Sequence, residues 1–595
     1  MFVDSCSVTN ALDRTTINEQ LSTKMAKVSE VEIAKDKSRY LRGTIQESLV
    51  NDITGSLYHD DTHLIKFHGS YQQTDRDLDA ERKRQKLEGL FSFMIRVRVP
   101  GGVASPNQWL RMSELADEFG NGTLKLTTRQ AFQLHGIYKK DLRGAIQGFN
   151  EVLLDSIAGC GDVNRNVMCN TNPYTSPLHG EVYEHAAAIS AHLTPRTTAY
   201  YEIWLNGEKV NLGTSVLNKN LDAPDEEPIY GKHYLPRKFK IAIAIPPHNE
   251  TDIYSNDVGL IAIEKDGALE GYNVVAGGGM GMTFGMPDTY PRLADVLGYC
   301  TKDKVIDVCE KIMTIQRDWG NRENRKFSRL KYTIDANGLV KFKNELTERL
   351  GYSLETARTY VFTTTGDNIG WSRETDGKYD LTVFVEGGRI ADKEGYKLKT
   401  ATQEIAALNI GEFRLTGNQN LMICRLTLGE RRIVESILER NGFIDNDPTA
   451  MRKNSIACTA LNTCTLAFAE AERYLPDLID QLDTILHKLK LQNDSISIRM
   501  TGCPNGCGRP YLGEIGLVGR AVGRYNLYLG ASHNGERLNK LYKEMLNESE
   551  ILSTLEPILK DYADTKLRGE HFGDFVIRKN YVKETTHGKN FHVVN

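Results

Sequence analysis

Short apolar runs with alternating polar positions recur along the chain, and longer amphipathic segments separate them. The runs "IRVRV" and "LTVFV" show the two-residue period of half-buried strands. The segments "SPNQWLRMSELADEFG" and "ADKEGYKLKTATQEIAALN" are predicted to contain helices. This alternation predicts an α/β or α+β fold with mixed sheets. Residues 1–35 are polar and are predicted to be frayed.

An internal repeat relates the two halves of the chain, because five segments recur in the same order. The pairs are "IRVRVPGGVASP" (95–106) with "LTVFVEGGRIAD" (381–392), "LKLTTRQAFQLHGI" (124–137) with "FRLTGNQNLMIC" (413–424), "RNVMCN" (165–170) with "NSIACT" (454–459), "NDVGLIAI" with "GEIGLVGR", and "GYNVVAGG" with "RYNLYLGA". Related halves usually pack about a pseudo-twofold axis, and ligands favour such interfaces. The repeat therefore predicts one cofactor site built by both halves.

The overall charge and the apolar content argue against a general binder of nucleic acid or membrane surfaces. The 595 residues carry a net charge of −4, and the sequence pI is about 6.4. No apolar run approaches the ~18 residues of a membrane span, and the N-terminus lacks the basic and apolar regions of a signal peptide. We therefore expect a cytoplasmic protein with no nucleic-acid or membrane partner. In that compartment cysteines serve metal binding or catalysis more often than disulfides.

Four of the ten cysteines form two spaced pairs in the second half of the chain. Cys458 and Cys464 stand in C-x5-C, and after 38 residues Cys503 and Cys507 stand in C-x3-C. Four thiolates suit either a 4Fe–4S cluster or a zinc ion. Zinc modules usually use short C-x2–4-C pairs, so the C-x5-C spacing favours the cluster. The glycines and prolines of "TGCPNGCGRP" indicate a loop beside a cofactor rather than four structural cysteines in a core.

These residues resemble a known signature. "CTALNTC" followed by "TGCPNGCGRPYLGEIGLVG" is similar to the sirohaem and 4Fe–4S signature of the sulfite and nitrite reductases. From about residue 37 onward, "YLRGTIQESL", "FHGSYQQTDRD", "LTTRQAFQLHGI", "NRNVMC", "LPRKFK" and "QRDWGNR" resemble, in order, the assimilatory sulfite reductase haemoproteins (beta subunits). The resemblance implies sirohaem and a 4Fe–4S cluster as cofactors. It also implies four cluster ligands, Cys458, Cys464, Cys503 and Cys507, and it implies that Cys507 bridges to the sirohaem iron.

The same resemblance implies a domain organisation. We expect an N-terminal extension and wrapping segment (1–93), paired ferredoxin-like half-domains (94–158 with 361–436), a first sirohaem- and substrate-binding repeat domain (159–360), and a repeat domain for the 4Fe–4S cluster and sirohaem (437–595). The fold would then comprise two pseudo-twofold-related repeats, with ferredoxin-like half-domains and two larger α/β domains.

The resemblance also implies which basic residues bind the substrate. Sulfite is a small dianion, and its reduction needs charge-assisted donors and protonated side chains beside an iron. The implied catalytic residues are Arg96, Arg165, Lys238 and Lys240. The two lysines alternate in "LPRKFK", so on an extended segment they face the same side.

Sirohaem carries many carboxylates, so its pocket also needs cations and amides. The implied cofactor-binding residues, besides Cys507, are Lys125, Thr127, Arg129, Gln133 and Asn505. Most charges of "RDWGNRENRKFSRLKY" are expected to be solvated. Gly161 departs from the family pattern, because a polar residue such as asparagine is expected at that position.

No nucleotide-binding signature accompanies these motifs. The glycine run "AGGGMGMTFG" (276–285) lacks the G-x-G-x-x-G spacing, and no P-loop sequence occurs. NADPH and flavin are therefore not expected on this chain, and electrons must come from another protein. The resemblance implies an NADPH-oxidising flavoprotein (alpha subunit), and a ferredoxin is the alternative donor. Docking of the donor on the N-terminal ~80 residues is a hypothesis that rests only on their position outside the repeat, and deletion of residues 1–60 tests it.

Three functions remain open at this point. The first is the six-electron reduction of sulfite to sulfide, in sulfate assimilation and cysteine biosynthesis. The second is a sirohaem nitrite reductase, or a ferredoxin-dependent sulfite reductase, of the same architecture. The third is a non-catalytic iron–sulfur or zinc protein. The segments "FHGSYQQTDRD" and "RKFK" favour the first.

Overall fold

The computed structural model of the chain describes residues 28–197, 199, 204–205, 208–209, 227–443 and 448–593. Most of the segment predicted to be frayed, residues 1–27, lies outside these residues. From Glu30 to Lys37 the chain is helical, so the prediction of a frayed segment through residue 35 is wrong at its end. Acidic residues occupy the first turn of this helix and lysines the last, which is the order that the helix dipole favours.

The strands and helices alternate along the whole described chain. The strands are β1 (Ser70–Thr74), β2 (Phe91–Val97), β3 (Val103–Ala104), β4 (Leu124–Leu126), β5 (Phe132–Ile137), β6 (Trp204–Leu205), β7 (Glu208–Lys209), β8 (Ile241–Ala244), β9 (Val258–Lys265), β10 (Ala268–Ala276), β11 (Asp295–Thr301), β12 (Gly370–Arg373), β13 (Tyr379–Val383), β14 (Arg389–Ile390), β15 (Asp392–Lys393), β16 (Tyr396–Lys397), β17 (Glu412–Leu415), β18 (Leu421–Leu426), β19 (Ser455–Ala457), β20 (Ile498–Thr501), β21 (Ile515–Ala521), β22 (Arg524–Leu529) and β23 (Lys540–Leu546). The α-helices are α1 (Glu30–Lys37), α2 (Ile45–Val50), α3 (Asp61–Leu64), α4 (Asp79–Arg84), α5 (Pro106–Glu118), α6 (Leu142–Asn150), α7 (Pro177–His192), α8 (Val305–Trp319), α9 (Leu330–Asn337), α10 (Leu339–Leu350), α11 (Leu398–Ala407), α12 (Leu428–Arg440), α13 (Ala450–Lys453), α14 (Leu475–Leu489), α15 (Glu548–Thr565) and α16 (Phe572–Arg578).

Both segments that were predicted to contain helices do so, as α5 and α11. Helix α5 begins after Ser105, whose hydroxyl accepts a hydrogen bond from the Gln108 amide while the Gln108 side chain accepts one from Ser105 in return. This reciprocal capping satisfies two amides that a helix start otherwise leaves without a partner. The local sequence therefore determines where α5 begins.

Two antiparallel five-stranded sheets exchange a strand. Their orders are β1-β2-β5-β4-β14 and β12-β13-β18-β17-β3, so each sheet receives its last strand from the other half of the chain. Paired glycines precede each exchanged strand, with φ of 63° and 75° at Gly101 and Gly102 and of 57° and 73° at Gly387 and Gly388. A Cβ on Gly102 would lie 2.3 Å from the Leu415 carbonyl oxygen, so the exchange requires glycine there.

The other two large sheets carry the internal repeat in their register. Their orders are β11-β10-β9-β8 and β19-β20-β21-β22-β23. Strand β8 runs parallel to β9 with Ile241 opposite Val258, and β20 runs parallel to β21 with Ile498 opposite Ile515. Both residues of the second pair follow their counterparts by 257 positions. Each sheet then continues with antiparallel strands, which confirms the predicted mixed α/β architecture.

The apolar residues form three large cores, one for each repeat domain and one shared by the two half-domains. In the shared core Trp109 of α5 stacks on Phe413 of β17, with ring centroids 4.8 Å apart. The predicted boundary after residue 93 falls inside β2, and β1 belongs to the same sheet. The wrapping segment is therefore continuous with the first half-domain.

The segment before β2 contacts both repeat domains. The ammonium group of Lys35 donates to the Leu235 carbonyl at 2.9 Å, just before the "RKFK" sequence. The guanidinium of Arg76 donates to the carbonyls of Cys464 and Ala467 at 3.1 and 2.6 Å. These contacts hold the wrapping segment against both loops that carry the predicted site residues.

Candidate functional site

The two cysteine pairs lie at the carboxyl ends of neighbouring parallel strands, where open sheets place their ligands. Strand β19 pairs with β20, and Cys458 directly follows the first strand while Cys503 closely follows the second. The amide of Gly502 donates to the Cys458 sulfur at 3.4 Å. The side-chain amide of Asn505 donates to the Cys503 sulfur at 3.5 Å. The structure thus brings both predicted pairs to one edge of one sheet.

The four thiols are electrostatic neighbours. Burial raises the pKa of Cys458 well above its usual range, and Cys507, Cys503 and Cys464 raise it further. Burial raises the pKa of Cys503 to about 12, again with a contribution from Cys507. Cys507 itself is solvent-exposed. A bound cation would reverse these shifts, because a coordinating thiol is deprotonated.

The spacing of the sulfurs distinguishes between the two metal sites that the sequence leaves open. Zinc–sulfur bonds of about 2.3 Å place the thiolates of a tetrahedral site about 3.8 Å apart. In the described part of the chain, the one group of three or more potential ligands whose atoms all lie within 4.8 Å is Glu514, His533 and His571. No three of the four cysteine sulfurs are therefore that close together. The described cysteines therefore do not form a preformed zinc site, and the C-x5-C spacing favours a cluster.

Close packing of glycines surrounds the cysteine loop. A Cβ on Gly502 would lie 2.5 Å from the Ala469 carbonyl oxygen. The run "AGGGMGMTFG" of the first repeat packs against the same loop, where Met282 donates its amide to the Pro504 carbonyl at 2.9 Å. A Cβ on Gly281 would lie 3.2 Å from the Asn505 carbonyl oxygen. This run, which has no nucleotide-binding spacing, therefore serves the contact between the repeats.

Two arginines meet on the first-repeat side of the site. One guanidinium nitrogen of Arg96 lies 3.4 Å from the Gly159 carbonyl and 3.2 Å from the Cys160 sulfur. Arg165 donates to the same Gly159 carbonyl at 3.2 Å and to the Gly161 carbonyl at 3.0 Å. Gly161, the departure from the family pattern, thus contributes its backbone to holding Arg165.

The two lysines lie on one side of an extended segment, as the alternation predicts. Phe239 between them is fully buried in the first repeat core, and its backbone forms a parallel β-bridge with Asn164. Lys238 and Lys240 project to the other side, and Lys238 is the leading charged neighbour of Lys240. Both keep partial solvent accessibility although protein surrounds them. This is the environment of side chains on the wall of a cavity.

The surroundings of the two lysines are strongly positive. Burial, and after it the charge of Arg237, lowers the pKa of Lys238 to about 7. Burial and then Lys238 lower the pKa of Lys240 well below its usual range. Cys507 acts in the opposite direction on both lysines and on Arg96, so these cations surround the exposed cysteine. No Asp or Glu is among the main groups that affect these three pKa values.

The other predicted cofactor contacts are more dispersed. Lys125 is buried and already paired with the Glu472 carboxylate at 2.6 Å. Arg129 donates to the Asn166 carbonyl at 3.0 Å and to the Asn256 side chain at 2.5 Å. Two further residues of the set accept hydrogen bonds from its arginines. The Gln133 side chain accepts from the Arg96 guanidinium at 3.2 Å, and the Thr127 hydroxyl accepts from the Arg129 backbone amide at 3.2 Å. Gln133 stands opposite Arg96 on one side and Lys125 on the other, so the three lie in one row across the sheet. Lys125 differs from Arg96 in that a carboxylate already neutralises its charge.

Sequence reasoning missed two residues of the site. Arg237 is the leading charged neighbour of Lys238, although strict alternation along an extended segment puts adjacent side chains on opposite sides. The Thr128 hydroxyl donates to the Cys507 carbonyl at 3.1 Å and so links the first half-domain to the cysteine loop. Each residue is the neighbour of a predicted site residue, in "LPRKFK" and in "LTTRQ". The motifs were therefore the signal that could have identified them.

Two charges of "RDWGNRENRKFSRLKY" are buried, as exceptions to the expectation that most of them are solvated. Arg329 forms a buried ion pair with Asp257 at 2.8 Å. Lys331 is fully buried and donates to the carbonyls of Gly279 and Gly281, at 3.1 and 2.8 Å. These residues hold the glycine run that packs on the cysteine loop.

The residues fit the two cofactors that the resemblance implies. The Nε atom of Arg96 is buried and has no hydrogen-bond partner, and the nearby lysines lack a carboxylate among their main charged neighbours. Such a surplus of cations suits a ligand with several carboxylates. Four thiols at one sheet edge, with glycines in close contact, suit an iron–sulfur cluster.

Comparison with known families agrees with this geometry. Residues 84–152 match the family described as the nitrite/sulfite reductase ferredoxin-like half domain, and residues 184–354 match the nitrite and sulphite reductase 4Fe-4S domain. The described residues contain no helix that is long and apolar enough to cross a membrane.

Curated relatives match over nearly their whole length. The sulfite reductase (NADPH) hemoprotein beta-component of Geobacillus thermodenitrificans is 55% identical over 565 residues, which covers 95% of this chain and 98% of that protein. The Staphylococcus haemolyticus protein of the same name is 52% identical and covers 97% of this chain and 99% of its own. Among solved structures, the Mycobacterium tuberculosis NirA protein has a similar fold, with a TM-score of 0.72 and 23% identity over 90% of this chain and 94% of that one.

Proposed function

Because the chain belongs to the family of sulfite reductase (NADPH) hemoprotein beta-components, we propose that it catalyses the six-electron reduction of sulfite to sulfide. The observation that carries the proposal is the group of uncompensated cations around Cys507. A small dianion is the ligand that such a group favours. In this role the chain is an oxidoreductase acting on sulfur groups, in sulfate assimilation and cysteine biosynthesis.

Cys458, Cys464, Cys503 and Cys507 are proposed to hold the 4Fe–4S cluster. Their support is their position at one sheet edge, with glycines packed closely around the loop. Cys507 is proposed to bridge the cluster and the sirohaem iron, because its exposure and its cationic neighbours distinguish it from the other three. When bound, the two cofactors supply an open iron position and the path for electrons.

Arg96, Arg165, Lys238 and Lys240 are proposed to bind sulfite and to serve its protonation. The two guanidinium groups are held by the Gly159 carbonyl, so they need little reorganisation to receive oxygen atoms of the anion. A lysine with a pKa of about 7, such as Lys238, both holds and releases a proton near neutral pH. Each oxygen that leaves sulfite needs two protons to depart as water, so positioned donors accelerate the reaction.

The remaining cations and amides are proposed to hold the carboxylates of sirohaem. Arg129, Thr127, Gln133 and Asn505 lie on segments that contact the cysteine loop or Arg96. Lys125 is the weakest member of this set, because Glu472 already neutralises its charge. Arg237 joins the set on the basis of its position beside Lys238.

Electrons are proposed to come from an NADPH-oxidising flavoprotein, the alpha component that the relatives' name implies beside a beta-component. The sequence contains no nucleotide-binding signature that would let this chain take electrons from NADPH itself. We also propose a cytoplasmic location, which the free thiol state of the nine described cysteines supports.

The visible spectrum of the purified chain, with iron and acid-labile sulfide counted, tests this proposal. We expect a Soret band, a long-wavelength band of the chlorin type, and about five irons per chain, four in the cluster and one in the haem. A colourless zinc protein would refute it, and a cluster spectrum without a tetrapyrrole in cells that make sirohaem would favour an electron carrier. The ratio of kcat/KM for sulfite to that for nitrite separates the two reductases.

A further inference from the structure

A second group of metal-binding side chains lies outside the site described above. The ligand atoms of Glu514, His533 and His571 all lie within 4.8 Å of one another. Glu514 directly precedes β21, His533 follows β22, and His571 directly precedes α16. Three separate segments of the second repeat domain therefore converge on one point, and the proposed sulfite chemistry uses none of these residues.

The carboxylate of Glu514 is fixed in place before any metal arrives. It is fully buried, and its two oxygens accept from the Gly573 amide at 2.9 Å and the Ser497 amide at 2.8 Å. A Cβ on Gly573 would lie 1.8 Å from the Ala531 carbonyl oxygen, so glycine allows α16 to approach this closely. The protein thus presents a preorganised oxygen ligand.

The two histidines present their rings side by side. Their centroids are 3.9 Å apart and their planes differ by 3°. His533 Nδ1 lies 3.5 Å from the Glu514 carboxylate, which is at the outer limit of a hydrogen bond. Among the described residues, no group hydrogen-bonds the ring nitrogens of His571. Neutral imidazole is the form in which histidine binds metals, and each of the two rings offers one nitrogen to the site.

The charges around the group leave Glu514 without a fixed cation. Asp574, beside His571, is paired with Arg537 at 2.6 Å, and Asp494 is paired with Lys566. In the described part of the chain, the ion-pair partner of Glu514 is His533 alone. A buried carboxylate that lacks a lysine or arginine partner is stabilised by a divalent cation.

We propose that Glu514, His533 and His571 bind a zinc ion. Two imidazoles and one carboxylate are ligands that zinc accepts, whereas calcium and magnesium prefer oxygen ligands alone. A fourth position is left for water. The ion would join α16 and the loop after β22 to the residue that precedes β21, so its role is to stabilise the second repeat domain.

The test is zinc binding to the full chain with its cofactors in place. After removal of loose metal with a weak chelator, zinc and iron are counted by mass spectrometry in the wild type, in His571→Ala, in Glu514→Gln and in the control His487→Ala. His487 is an exposed histidine of the same domain. We expect about one zinc per chain in the wild type and the control, at least a hundredfold weaker zinc binding in the two site variants, and the same iron content in all four.

Anomalous diffraction at the zinc edge locates the ion and does not depend on the folding of any variant. A single peak within bonding distance of the three side chains would support the site. Absence of zinc from the wild type at micromolar free zinc would overturn the proposal. Zinc that His571→Ala and Glu514→Gln retain at wild-type affinity, or a peak at the cysteines instead, would overturn it equally.

Discussion

Asp252 and Arg509 occupy equivalent positions of the two repeats and form a buried ion pair across them, with the carboxylate 2.6 Å from Nε. The two residues are 257 positions apart, the same offset that relates the sheet registers. Both have a left-handed backbone, with φ of 46° and 54°, and each precedes a short 3-10 helix. The Asp252 carboxylate also forms an ion pair with Arg499, at 2.6 Å. The ion pair of Arg509, two residues after Cys507, thus joins the two repeats close to the cysteine loop.

Asp252→Asn should destabilise the chain severely. The change removes the shared carboxylate from two buried arginines, leaving Asp367 as the remaining acidic neighbour of Arg509. Breaking a buried pair in this way costs about 3–5 kcal/mol. Urea unfolding of the cofactor-free chain, followed by tryptophan fluorescence, measures the change in the free energy of unfolding. Lys302→Ala is the control, because it removes an exposed ion pair with Glu181 and should cost about 1 kcal/mol or less. Equal effects of the two changes would contradict the role of the ion pair.

Cys507→Ser should remove the cluster and its coupling to the haem together, because one thiolate is proposed to serve both. Iron and labile-sulfide counts and the visible spectrum measure this loss. Cys300→Ser is the matched control, since that thiol is buried in the first repeat domain, away from the cysteine loop. If Cys507→Ser kept a full cluster and an unchanged spectrum, its bridging role would be wrong.

Lys240→Ala should keep both cofactors and reduce turnover of sulfite by about 10²- to 10⁴-fold, the usual contribution of a positioned proton donor or anion ligand. Steady-state kinetics with a chemical reductant, together with the spectrum, separates turnover from cofactor content. Lys232→Ala is the control, because that side chain is exposed in the same loop and pairs with Asp36. Loss of the spectrum in Lys240→Ala would make Lys240 structural instead.

Lys238 should make the stability of the cofactor-free chain rise with pH. Its pKa is lowered to about 7 in the folded chain, chiefly by burial, so between pH 7 and its ordinary pKa the unfolded chain binds the extra proton. The free energy of unfolding should therefore increase by at most about 1.4 kcal/mol per pH unit above pH 7 from this group. Urea unfolding at pH 7, 8 and 9 measures the slope.

Lys238→Met provides the comparison for that slope. This variant should be more stable than the wild type at pH 7, and the difference should shrink as the pH rises. The same variant with its cofactors should lose sulfite turnover. A pH slope identical to that of the wild type would contradict the shifted pKa.

Gly502→Ala should abolish cluster assembly, because the new Cβ would lie 2.5 Å from the Ala469 carbonyl oxygen inside the loop that carries Cys503. Iron content after purification measures the effect. Gly429→Ala is the control. Gly429 lies in helix α12, and the nearest atom to a Cβ built there is the Thr427 hydroxyl oxygen, 3.9 Å away. Full iron content in Gly502→Ala would show that the loop tolerates a side chain.

The sequence predicted the parts of the site that depend on local spacing. The C-x5-C and C-x3-C pairs lead directly out of β19 and β20, so short loops hold them at one sheet edge. Lys238 and Lys240 lie on one side of the segment, as the alternation predicts, because Phe239 between them packs into the core of the first repeat domain. The five repeated segments predicted the pairing of the two halves, although they could not show which residues would meet at the interface.

The parts that depend on distant partners could not be predicted. Lys125 and Glu472 are 347 positions apart, and nothing local marks either as half of a buried pair. Arg329 and Lys331 read as a solvated helix face until Asp257 and the glycine run are placed beside them. The exchanged strands β3 and β14 have two residues each, which is too short for any hydrophobic period to appear.

The number of electrons consumed per sulfide formed tests the central claim most directly. The purified chain with its cofactors is given sulfite and a one-electron viologen reductant, without any flavoprotein, and oxidised dye and sulfide are both counted. The account predicts six molecules of dye oxidised for each sulfide released, and loss of both signals in Lys240→Ala. A chain that carries both cofactors yet releases no sulfide while it oxidises the dye would contradict the account.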